Sequence, residues 1–152
     1  METGYLLNKR VFICRLIVAV LFLWAGVIKI INPHDFADAV AGFRALPVAL
    51  IHPTALVIPW FEILLSIGVL FPGVKIVRAS SMGLIALDLV FILLLSSAWL
   101  RGLNVQCGCF GLNIFPASEW SIPIAIFRDM VLLLMLVWIY RDAYGRSHRS
   151  RS

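Results

Sequence analysis

Four apolar runs, at about residues 11–31, 53–71, 76–100 and 121–140, decide what this 152-residue chain can fold into. Each is close to the roughly 20 residues that cross a bilayer as a helix. Within hydrocarbon every backbone N–H and C=O must find its partner inside the protein, so runs of this length are read as helices. The connections are short, which makes consecutive helices antiparallel neighbours. The expected fold is all-α: an integral membrane antiparallel four-helix bundle. A soluble alternative fails on composition, because 62% of the residues are hydrophobic and soluble domains hold roughly 45–50%.

The charges set the expected orientation. Lys9, Arg10, Lys75, Arg78 and four arginines within residues 141–152 fall on one side of the bundle. Arg44 and Arg101, with Lys29 near the boundary, fall on the other, against Asp35, Asp38 and Glu119. The positive-inside rule then puts both termini in the cytoplasm and loops 33–52 and 101–121 outside. The expected location is a bacterial inner membrane, with the outer loops in the periplasm. The formal charge of +5 does not mark a nucleic-acid binder, because the basic residues cluster at the ends of apolar runs. Lys9 and Arg10 before an apolar run resemble a signal peptide. The run is too long and lacks a clear small-residue cleavage site, so an uncleaved helix is expected.

Within the first outer loop, Asp35 can cap a short helix reaching about residue 45, with Phe36, Val40 and Phe43 on one side and Asp38 and Gly42 on the other. Such a segment is expected to lie at the membrane surface. In the second span Pro59 introduces a kink, and Ala55, Pro59, Glu62 and Ser66 share a face that should point into the bundle. Asp88 sits near the centre of the third span, with Ser81 one face-repeat before it and Ser96 about one after, and the fourth carries Arg128 and Asp129. Residues 141–152 are almost free of apolar side chains and are expected to form a disordered basic tail. Several of the five tryptophans stand near span ends, as interfacial anchors do.

Two groups of residues can carry chemistry. Cys107 and Cys109 are separated only by Gly108, in one of the few polar gaps. A disulfide closed over one residue misses relaxed geometry, and strain makes it more oxidising and more easily reduced. Exposure and a nearby positive charge favour thiolate; Arg101 can supply that charge, and Arg128 can assist. A static clasp on the loop and a copper(I) site remain alternatives. Zinc lacks ligands, since the outer loops otherwise offer only His34 and His52, and no metal site is assigned. Cys14 lies near the opposite face, about a bilayer thickness away, and is read as a free core thiol.

Glu62, Asp88, Arg128 and Asp129 form the second group. Charges within spans normally face the bundle and pair. Arg128 and Asp129 are about 100° apart around the helix, so Arg128 is expected to pair with Glu62 or Asp88. Ion pairs that fix the bundle are one reading. A proton path, or a polar pocket for a quinone head-group, is the other.

Residues 22–43, FLWAGVIKIINPHDFADAVAGF, together with Leu46-Pro47, Pro59-Trp-Phe-Glu62, Arg101-Gly102 leading to Cys107-Gly-Cys-Phe-Gly111, and Arg128-Asp129, resemble the MauE branch of the DoxX-like membrane proteins. The likeness covers about residues 10–140; the basic tail and Cys14 stand outside it. It implies a four-helix inner-membrane assembly factor that acts with a thioredoxin-like periplasmic partner, MauD. The client would be cysteine-rich, such as the small subunit of methylamine dehydrogenase. The redox role would fall on Cys107 and Cys109. A non-catalytic scaffold for a periplasmic redox protein, and a small metal or solute transporter, are the competing functions.

Overall fold

The computed structural model describes residues 9–45, 47–102 and 121–149. They form five helices: α1 (Lys9–Ile31), α2 (Pro33–Gly42), α3 (Val48–Leu70), α4 (Val74–Leu100) and α5 (Ser121–Arg149). Four of these are long and apolar enough to cross a membrane, and α2 is the short fifth. The protein is thus a multi-pass membrane protein.

Asn32-Pro33 ends α1 and starts α2. Asn32 leaves helical geometry while its N–H still bonds the Ile28 carbonyl, and Pro33 takes the first position of α2, where its missing N–H is harmless. Arg44 closes the turn after α2 with a left-handed φ of 48°. At the far end of α4, Arg101 is the C-cap and Gly102 follows at φ 65°. That is the usual glycine-assisted helix stop.

Three boundaries differ from the sequence expectation. Asn32, not Asp35, is the N-cap of α2, because Pro33 already fits the first helical position, and the helix ends at Gly42 rather than near 45. α3 starts at Val48 rather than near 53, with Pro53 and Pro59 both inside it. Proline is tolerated in bundled membrane helices because neighbours satisfy the freed backbone groups. α5 runs on to Arg149, so helix replaces most of the stretch expected to be a disordered tail. Ala143 is buried in the core, and the Arg78 guanidinium lies 5.1 Å from the centre of the Tyr144 ring. These contacts hold the extension to α4.

Around the bundle, α1 packs on α3, α3 on α4, α4 on α5, and α5 back on α1. Neighbours run antiparallel. Arg15 of α1 meets the end of α3 at Val69 and Phe71, whereas Gly26 meets Pro59 and Ile63. Glycines set the close approaches. A Cβ on Gly26 would stand 2.8 Å from Ile63 and 3.1 Å from the Pro59 carbonyl, and one on Gly83 would stand 2.9 Å from Leu65. Small residues at crossings let membrane helices pack by dispersion where no hydrophobic force separates lipid from protein.

Leu, Ile, Val and Phe side chains cover the outside. Trp24, Trp60, Trp99 and Trp138 are all exposed, as lipid-facing anchors are. Polar groups are gathered inward: Arg15, Lys29, Glu62, Ser66, Ser80, Ser81, Asp88 and Asp129 are buried. One large apolar cluster, including Val18, Phe22, Leu84, Leu132 and Leu136, fills the half of the bundle where Arg15 sits. Arg15 donates from Nε to the Val69 carbonyl at 2.8 Å and from Nη2 to that of Phe71 at 2.7 Å. It thereby satisfies carbonyls that the end of α3 would otherwise leave open.

Candidate functional site

Beyond that cluster the interior turns polar. α1, α3, α4 and α5 each deliver a charged side chain to one cavity, lined by Lys29, Glu62, Asp88, Arg128 and Asp129 among Phe22, Phe91 and Leu132. The inward face foreseen on α3 is there: Ala55, Pro59, Glu62 and Ser66 are all buried. Ser66 donates its hydroxyl to the Glu62 carbonyl one turn back, which keeps that hydroxyl satisfied without another helix.

Lys29 is the residue that sequence reasoning missed. It reads as a boundary charge, two residues before α1 ends. Instead its side chain turns inward and is only 2% exposed. Nζ lies 2.6 Å from Glu62 Oε1, and Glu62 is 1% exposed. The ammonium also sits 5.0 Å from the centre of the Phe36 ring and 4.5 Å from that of Phe91. Ring faces attract a cation at this range. α2 is therefore more than a connector. It covers the ion pair with Phe36, while Ala37 and Val40 pack beside Ala55 of α3 and His34, Asp35 and Asp38 stay exposed. The signal in the sequence was a lone lysine inside an otherwise apolar run, a position too costly in lipid to be left unpaired.

The expected pairing of Arg128 with Glu62 or Asp88 is corrected. Arg128 turns back onto its own neighbour, with Nε 2.8 Å and Nη2 2.6 Å from Asp129 Oδ1. The two Cβ directions diverge as expected, but the long arginine stem sweeps around the helix and cancels the divergence. Glu62 takes Lys29 instead. Asp88, 2% exposed, faces the same cavity. Glu62 Oε2 and Asp88 Oδ2 are buried with no hydrogen-bond partner among the described residues.

The structure thus brings Glu62, Asp88 and Arg128 together, and adds Lys29 and Asp129. Arg101 stands apart, exposed at the end of α4. Cys107, Gly108 and Cys109 lie outside the described residues, in the connection between α4 and α5. The cavity measures about 30 Å³. That is room for one or two waters, whereas a single aromatic ring takes on the order of 150 Å³.

The family model described as methylamine utilisation protein MauE matches residues 7–141. The chain belongs to the MauE family. The MauE protein of Paracoccus denitrificans is 29% identical over 126 residues, 82% of this chain and 65% of that protein. The MauE protein of Methylophilus methylotrophus is 30% identical over 95 residues, 62% of this chain and 49% of that protein. The match spans less than two thirds of either MauE relative. No solved structure matches the chain. Among the charged residues of the cavity, Lys29, Glu62, Asp88, Arg128 and Asp129 all fall inside the region matched by the MauE model.

Proposed function

We propose that this chain is a membrane accessory protein of methylamine utilisation that exchanges disulfides with periplasmic proteins through Cys107 and Cys109. The observation that carries the reading is the Cys107-Gly-Cys109 pair itself, in the connection between two membrane-crossing helices of a MauE-family chain. In the exchange, a client thiolate attacks one sulfur of the Cys107–Cys109 disulfide and forms a mixed disulfide. The client's second thiolate then resolves it. The client gains a disulfide, and Cys107 and Cys109 take up the two electrons as a dithiol. A thioredoxin-like partner in its disulfide form accepts those electrons in turn. Arg101, exposed at the adjoining end of α4, favours the thiolate form of whichever cysteine approaches it.

Cys107→Ser and Cys109→Ser, expressed separately, test this by the client's disulfide content and by capture of a reducible cross-linked partner. Loss of client oxidation in both variants, with a trapped partner in one, is the expected outcome. Normal client oxidation in both would remove the proposal.

A scaffold without redox chemistry is the second reading. It is supported by α2, whose apolar face is anchored while His34, Asp35 and Asp38 are presented outward. It predicts that charge reversal at Asp35 and Asp38 impairs function more than cysteine replacement does.

A further inference from the structure

Among the described residues, the charges around the cavity do not balance. Three carboxyl groups, Glu62, Asp88 and Asp129, face two basic groups, Lys29 and Arg128. Lys29 is engaged with Glu62 and Arg128 with Asp129, which leaves Asp88 as the odd acid. The connection between α4 and α5 adds no positive charge, because residues 103–120 contain one acid, Glu119, and no lysine, arginine or histidine. Arg15 is committed to the last carbonyls of α3. α2 contributes only the Phe36 ring to this region, and its acids, Asp35 and Asp38, are exposed. An uncompensated charge in such surroundings is costly enough that the site neutralises it.

Two further observations say with what. Glu62 Oε2 and Asp88 Oδ2 are buried oxygens without a hydrogen-bond partner among the described residues, on side chains that line the cavity. The cavity, at about 30 Å³, has room for one or two waters. We propose that the bundle holds one exchangeable proton in this cavity, shared by Asp88 and Glu62 through a water bound there. The site is then a proton-binding centre with a net charge of zero, independent of any chemistry at the cysteines.

Infrared difference spectroscopy of the full-length protein in lipid nanodiscs, in choline chloride at neutral pH, reads this out. The wild type is expected to show the carbonyl stretch of a protonated carboxylic acid, sensitive to exchange into D2O. Asp88→Asn restores the charge balance and should abolish that band. Asp129→Asn keeps an acceptor for Arg128, balances the count equally, and should abolish it too, so the test survives if one variant fails to fold. Lys29→Met removes a base, so a second carboxyl must be neutralised and the band should reach about twice its intensity. A wild type without the band, or a band unchanged in Asp88→Asn and Asp129→Asn, overturns the proposal. Carboxylate bands that respond to added NaCl or NH4Cl in the absence of an acid band assign the charge to a small cation and overturn it as well.

Discussion

Lys29→Met removes the cationic half of the buried pair while keeping most of the stem's length and apolar bulk. Nζ and Oε1 are 2.6 Å apart, and neither side chain is more than 2% exposed, so bulk water cannot solvate the partner left behind. Removing one member of such a pair destabilises by about 3–5 kcal/mol. Loss of the contacts with the Phe36 and Phe91 rings adds about 0.5–2 kcal/mol. Membrane proteins set a lower bar for comparison, because helices unfolded within the bilayer find other partners, and an ordinary interhelical hydrogen bond averages only about 0.6 kcal/mol. The measurement is a double-mutant cycle of Lys29→Met, Glu62→Gln and the double variant, each unfolded reversibly by raising the SDS fraction in mixed micelles and followed by tryptophan fluorescence. The double variant should be milder than the sum of the singles by about 1–3 kcal/mol. A loss of no more than about 0.6 kcal/mol in Lys29→Met, or additivity within about 0.5 kcal/mol, refutes the idea that this pair is a desolvated charge pair coupling α1 to α3.

Other consequences are open to similar measurement. Phe36→Ala empties a site that is 3% exposed and should destabilise by about 3 kcal/mol, with amide exchange rising first in α2; unchanged exchange there would mean α2 is not held by Phe36. Gly26→Val forces a Cβ against Ile63 and the Pro59 carbonyl and should cost about 1–3 kcal/mol. A neutral result in the same micelle titration would mean that α1 and α3 cross less closely. Arg15→Ala releases the carbonyls of Val69 and Phe71 and should cost about 1.5–3 kcal/mol, seen as faster exchange at the α3–α4 turn; Arg15→Lys should recover part of it, since an ammonium lacks the fork that spans both carbonyls.

The sequence alone determined the number of spans, the inward face of α3, the stop at Asn32-Pro33 and the apolar stripe of α2. All four follow from properties of a single helix: the length of an apolar run, a period of 3.6 residues, and the local chemistry of proline. That Asp88 would be buried was equally legible, because a lone acid in an apolar run has nowhere else to go. Tertiary structure alone decided which charges meet. Lys29 lies 33 positions from Glu62 in sequence, and their contact depends on the axial offset and rotation of α1 against α3, fixed at Gly26 and Pro59. Arg128 took Asp129 because a long side chain is not bound to the direction of its Cβ. The surplus carboxyl is likewise a property of the assembled bundle, since its five charged groups come from four helices and only packing gathers them around a space with room for one or two waters.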